Sequence, residues 1–149
     1  MSIIVKEFSR LKAVIIGPGD QRPYKELTRK LSIENNIVFL GFVDEKSKVG
    51  ALDASLALVL PSVCNHVEVY SIVISEAWAR NKPVIASAVG EIPYRVKHMV
   101  NGLIVPPKDV KPLAEAIMLL AGNTEPSIKL DNKGRENILT YDRIAIKTP

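Results

Sequence analysis

Two glutamates, Glu68 and Glu76, stand with seven residues between them and flank the point where a loop should turn into a helix. Ser71 precedes an apolar run of helical period, and its hydroxyl can accept from an orphan N–H of a first turn. Ile72 and Val73 would then lie in that first turn. Their free backbone N–H groups, with the positive end of the helix dipole, suit a diphosphate. Glu76, about one turn further in, can accept two hydrogen bonds from a diol such as the ribose 2′,3′ pair. Glu68, on the preceding loop, would lie near a transferred sugar. Spacing alone decides little, because two glutamates this far apart more often mark a solvated helix face than a site.

The surrounding sequence must supply the elements that hold these groups. The helix should stop near Asn81-Lys82-Pro83, since Pro83 disfavours helical geometry in the residue before it. Val84-Ile85-Ala86 then reads as a short buried strand, followed by a loop marked by Gly90 and Pro93. Upstream, residues 11–17 read as a buried, β-branched strand ended by Gly17-Pro18-Gly19. This turn is a poor dinucleotide fingerprint, because the third glycine would fall at Arg22 and Pro18 has no N–H for a phosphate. Residues 24–31 suit a helix and residues 37–41 a strand. Asp44 can cap a helix over residues 45–52, and residues 56–61 form the next strand. Downstream, the pattern predicts a helix over residues 94–100, a turn at Asn101-Gly102 and a strand over residues 103–105. Asp109 then caps a helix over residues 110–120, whose core stripe is Val110, Leu113, Ile117 and Leu120.

Strands alternating with helices, with apolar strands of the parallel type, predict a Rossmann-like doubly wound α/β sheet with helices on both faces. Ligands of such sheets bind at the carboxyl ends of the strands, where Glu68, Ser71 and Gly90 are expected to gather. The chain of 149 residues reads as one domain, with an ambiguous segment over residues 1–10 and a helical tail over residues 124–149.

Composition narrows the function classes. The 47% hydrophobic content is enough for a core, yet no apolar run is long enough to span a bilayer and the N-terminus lacks a signal-peptide pattern. A cytoplasmic location is expected. A single cysteine, Cys64, rules out an internal disulfide framework, and the lone histidines His66 and His98 have no partners at metal-ligand spacing. The net charge of +4 is spread along the chain and only 5% of residues are aromatic, which argues against a nucleic-acid partner.

The central stretch resembles the donor-site signature of retaining GT-B-fold nucleotide-sugar glycosyltransferases, the glycosyl transferases group 1 family. Glu68, Tyr70, Glu76, Ala77, Ala79, Pro83, Val84, Ile85, Ala86 and Ser87 stand in register with it. Ile37, Phe39, Leu40, Gly41 and Val43 match a further family phrase. So do residues 101–109, and the tail segment over residues 132–145 is similar to the family's terminal helix.

The resemblance implies the C-terminal, donor-binding domain of such an enzyme, which binds a UDP-, GDP- or ADP-sugar and transfers a hexosyl group with retention. Glu68 would be the catalytic group. Glu76 would hold the ribose, and Ser71, Ile72 and Val73 the diphosphate. Gly17, Gly19 and Gly90 would lie along the donor, with the backbone around Val38 meeting the base. No metal or cofactor is implied. The alternative is a non-catalytic nucleotide-binding module or truncated remnant, acting through binding or partner contacts.

The sequence departs from the family at three points. Ser71 replaces a glycine, Glu91 to Tyr94 replace the phrase expected after Gly90, and the family's first strand with its basic loop has no counterpart. That strand would sit centrally, between the strand ending at Gly17 and the one ending at Pro61, and its absence would expose two strand edges. Residues 2–8 are therefore expected to fill the slot as a strand, or an acceptor-domain chain or second copy to shield it.

Overall fold

The computed structural model describes residues 1–63, 72–123, 130 and 133–138. They belong to two compact units, Met1–Ala54 and Ser55–Pro149. Both are parallel α/β structures of Rossmann type, as the alternating pattern predicts.

The first unit holds a two-stranded parallel ladder. Strand β1 (Ala13–Ile16) sets Ala13, Val14 and Ile15 opposite Ile37, Val38 and Phe39 of β2 (Ile37–Gly41), and a register shift then brings Ile16 opposite Gly41. The crossover is helix α1 (Arg22–Lys30), which starts two residues before the predicted position because Pro23 suits a first turn. Asn36 fixes the ladder's entry by donating from Nδ2 to the Ser9 and Leu11 carbonyls, at 2.8 Å each. Helix α2 (Glu45–Ala54) begins where expected, with the Ser47 N–H donating to Asp44 Oδ1 at 2.7 Å.

Two expectations for this unit fail. Residues 2–8 form no strand, and Ile4–Lys6 are a 3-10 turn. The Ile4 carbonyl accepts from the N–H groups of Glu7 and Phe8, and the Met1 carbonyl accepts from Val5. These bonds satisfy the segment locally while the Ile4 side chain is buried. Nor is β1 a buried strand, since Val14 is 50% exposed and Ile15 is exposed as well. Among the described residues β1 pairs only with β2, and two strands with one crossover helix cannot cover both faces of a strand built for burial.

The second unit has the fuller core. Its strands β3 (Leu58–Leu60), β4 (Val84–Ser87) and β5 (Leu103–Val105) form a parallel ladder in the order β3-β4-β5. Helix α3 (Ile72–Ala79) precedes β4, and α5 (Val110–Gly122) follows β5. Every residue of central β4 is buried. Ile85, Leu103 and Val105 pack with Ala116, Leu120 and Leu130, with Leu113 and Ile117 partly buried against them. Asp109 caps α5 by accepting from the Lys111 N–H. Val110, however, is 63% exposed and lies off the core stripe, which runs through Ala114, Ala116 and Leu120.

The helix expected over residues 94–100 is instead the four-residue α4 (Ile92–Arg95), again with Pro93 in its first turn. Buried Asn101 explains the early stop. Its Nδ2 donates to the Arg95 carbonyl and its Oδ1 accepts from the Lys97 N–H, so the chain folds back on this side chain instead of continuing as helix. Gly102 follows where a Cβ would stand 2.6 Å from Val96 Cγ1 and 2.9 Å from the Val84 carbonyl oxygen, so only glycine fits. Trp78 is buried and donates from Nε1 to the Asn101 carbonyl at 3.0 Å. The helical residues 133–138 pass so close to that indole that a Cβ at Gly134 would lie 2.2 Å from its Cδ1.

Candidate functional site

The first unit carries a cleft at the carboxyl ends of its two strands, where parallel sheets bind ligands. Its volume is about 560 Å³, and it is lined by Gly17 through Arg22, Lys25, Gly41 and Phe42. The turn after β1 needs its glycines for backbone conformation. Gly17 and Gly19 have φ of 147° and 123°, and no atom lies within 4 Å of a Cβ built on either. The Gly17 N–H donates to the Gly41 carbonyl at 2.9 Å, which ties the two strand ends together.

The charges along this cleft are largely paired with each other. Arg22 Nη2 lies 2.8 Å from Asp20 Oδ2, its Nε donates to Oδ1 at 2.9 Å, and its backbone N–H donates to the same oxygen at 3.0 Å. The Arg22 side chain and backbone together hold the Asp20 carboxyl below the usual aspartate range, and the pairing raises Arg22 in turn. A backbone donor at the start of α1 is thereby already occupied. Lys25 places its ammonium 5.8 Å from the centre of the Phe39 ring.

Val38, expected near the base, stands in the middle of β2 opposite Val14 and does not line the cleft. The end of β2 is occupied by Gly41 and Phe42. Phe42 is 84% exposed on the cleft wall, and sequence reasoning did not single it out. The available signal was its place directly after the Phe39-Leu40-Gly41 phrase, at a predicted strand end.

The second unit carries the helix of the central motif. Glu76 is half-buried on α3, four residues after exposed Ile72 and so on the same side of the helix, with Val73 half-buried beside it. Arg95 steadies this helix, since its Nη2 donates to Ser75 Oγ at 2.7 Å and its guanidinium lies 5.8 Å from the Trp78 ring centre. Gly90 takes a φ of 51° in the turn after β4, a left-handed conformation that favours glycine. Glu68 and Ser71 lie outside the described residues, as do Cys64 and His66. His98 has a structural contact, its Nδ1 accepting from the Ile104 N–H at 3.1 Å. Among the described residues no helix is long and apolar enough to cross a membrane.

Comparison with known proteins agrees with this architecture. The family model "Glycosyl transferases group 1" matches residues 1–137. An uncharacterized glycosyltransferase of Methanocaldococcus jannaschii is 38% identical over 111 residues, which are 74% of this chain and 28% of the relative. A GDP-mannose-dependent phosphatidylinositol monomannoside mannosyltransferase of Mycobacterium tuberculosis is 32% identical over 90% of this chain and 37% of its own length. Among solved structures, the C-terminal domain of a group 1 glycosyl transferase from Francisella tularensis superposes with a TM-score of 0.81 at 22% identity, over 95% of this chain and 74% of that one. The chain thus spans between a quarter and two fifths of the two curated relatives. It belongs to the glycosyl transferases group 1 family, as a partial, C-terminal-like domain of the GT-B architecture.

Proposed function

We propose that the chain binds a nucleoside diphosphate sugar in the cytoplasm and presents it for retaining transfer of a hexosyl group to an acceptor held by a separate or missing domain. The observation that supports this best is the setting of Glu76. Within a glycosyltransferase family match, it is half-buried on a helix followed directly by the fully buried strand β4. In this reading Glu76 accepts from the ribose hydroxyls, and the first turn of its helix, from Ser71 through Val73, takes the diphosphate. Gly17, Gly19 and Gly90 lie along the donor.

Glu68 acts on the transferred sugar. Negative charge grows on the leaving diphosphate and positive charge on an oxocarbenium-like ring, so the helix dipole answers the first and the Glu68 carboxylate the second. No metal enters this scheme. An acceptor-domain chain or a second copy covers the edge of β1 that is unpaired among the described residues.

The nucleotide's identity is tested directly. Calorimetric titration of the chain with UDP, GDP and ADP should give binding of one of them, weakened about tenfold or more by Glu76→Ala, the scale expected for a hydrogen-bonded charged acceptor. Failure of all three to bind would end this reading.

A further inference from the structure

We infer that Arg95 is a positioning residue for Glu76, holding helix α3 at the rotation that presents the carboxylate to the donor's ribose. The inference rests on the donor-binding reading above and adds the side chain that aims its ribose contact. Arg95 directly follows Glu91 to Tyr94, the stretch in which this chain departs from the family phrase. It is half-buried at the end of α4, and its Nη2 donates to Ser75 Oγ at 2.7 Å. Its guanidinium also lies 5.8 Å from the centre of the Trp78 ring. Ser75 and Trp78 are three residues apart and share one side of α3, so Arg95 grips that side at two points.

The grip is tied back through the turn after α4. The Arg95 carbonyl accepts from Asn101 Nδ2 at 3.0 Å, and the Asn101 carbonyl accepts from Trp78 Nε1 at 3.0 Å. These contacts close a ring from α3 through α4 and the Asn101 turn back to α3, and Trp78 and Asn101 within it are buried. Burial of Ile74, Ala77 and Trp78 seats the helix on the core, but apolar packing is non-directional, whereas the bond from Arg95 to Ser75 sets an angle. Glu76 is the next residue after Ser75, about 100° further around the helix, so fixing the Ser75 side fixes the direction of the carboxylate. A side-chain tip stands about 5–6 Å from a helix axis, and a rotation of about 10° carries it about 1 Å. A binding constellation tolerates about half of that.

A ribose contact is read by removing its hydroxyl. The full chain is titrated by calorimetry with UDP, GDP and ADP and with their 2′-deoxy counterparts, as wild type, Arg95→Leu and Ser75→Ala. Wild type should prefer its best-bound ribonucleotide over the deoxy form about tenfold, the scale of one hydrogen bond to a charged acceptor. Arg95→Leu should shrink that preference to about threefold or less while leaving affinity for the deoxy form within about twofold of wild type. Ser75→Ala removes the acceptor alone and should shrink the preference part of the way. Far-ultraviolet circular dichroism checks folding, and Ser75→Ala, which deletes one hydroxyl, carries the test if Arg95→Leu does not fold. Undiminished preference in a folded variant, or equal losses for the two forms of nucleotide, would overturn the positioning role while leaving the donor-binding reading intact. A wild-type chain that binds a nucleotide without preferring its ribose form would overturn the role of Glu76 and this inference with it, and one that binds no nucleotide would overturn the donor-binding reading as well.

Discussion

Strands β1 and β4 are each four residues long, each parallel to its neighbours and written in nearly the same letters, Ala-Val-Ile-Ile against Val-Ile-Ala-Ser. In β4 every side chain is buried, whereas Val14 in the middle of β1 is half exposed. The difference lies in what surrounds them. Among the described residues β4 has a strand on each edge and helices packed on it, while β1 pairs with the single strand β2. Apolar, β-branched letters identify a parallel-type strand, but the number of neighbours decides how much of the hydrophobic effect it collects.

The sharpest way to break this comparison is a pair of truncations. Ile85→Ala removes a side chain from the core of the second unit and should cost about 2–5 kcal/mol, whereas Val14→Ala should cost under about 1 kcal/mol. Denaturant unfolding followed by Trp78, the chain's single tryptophan, reports the second unit, and far-ultraviolet circular dichroism reports the whole chain. Equal losses at the two positions would show that β1 is covered in solution, as a second copy or an acceptor-domain chain would cover it.

A smaller effect tests how the second unit closes around Trp78. Gly102→Ala drives a methyl group against Val96 and the Val84 backbone, and strain of this kind costs about 1–3 kcal/mol. Asn101→Ala removes the partner of two backbone groups and belongs in the same range of about 1–3 kcal/mol. Both should lower the midpoint seen by Trp78 fluorescence, because the Asn101 carbonyl holds the indole N–H. If neither moves it, that turn contributes nothing to the core.

Much of this fold is legible where one local signal decides the outcome. The bounds of β2 and β5, and the caps supplied by Asp44 and Asp109, follow directly from alternation, turn residues and side-chain oxygens. The misses are places where two local signals compete. Residues 2–8 are apolar enough for a strand, but the Ile4 carbonyl is satisfied within its own turn. Residues 94–100 have helical composition, yet the Asn101 side chain captures the backbone that would continue the helix. Val110 has the spacing of the core stripe but sits in the first turn of α5, beyond the reach of β5 and its neighbours.

The site was legible in a similar way. Glu76 and the glycine turn become candidates through the family resemblance around them, because their type and spacing alone decide little. Phe42 does not, because an aromatic after a strand end looks like one more apolar residue until its exposure is seen.

The smallest expected effect returns to the first unit, whose turn at the cleft is held by a local ion pair. The Arg22 side chain is the largest influence that lowers the Asp20 carboxyl, with the Arg22 backbone N–H second, and both partners of the pair face solvent. A carboxylate with a depressed folded value adds its stabilisation above the unfolded aspartate value of about 3.9, and loses it as pH falls through the lower folded value. The turn should therefore loosen only in acid, and by little, since exposed pairs are well screened. Carboxyl carbon shifts of Asp20 followed by NMR from neutral to acid pH should show its midpoint below that of a free aspartate, and Arg22→Gln should move it upward. An unmoved midpoint would mean that the backbone N–H alone holds the carboxylate. The turn would then hold its shape without the arginine, leaving Arg22 free to meet a ligand in the cleft.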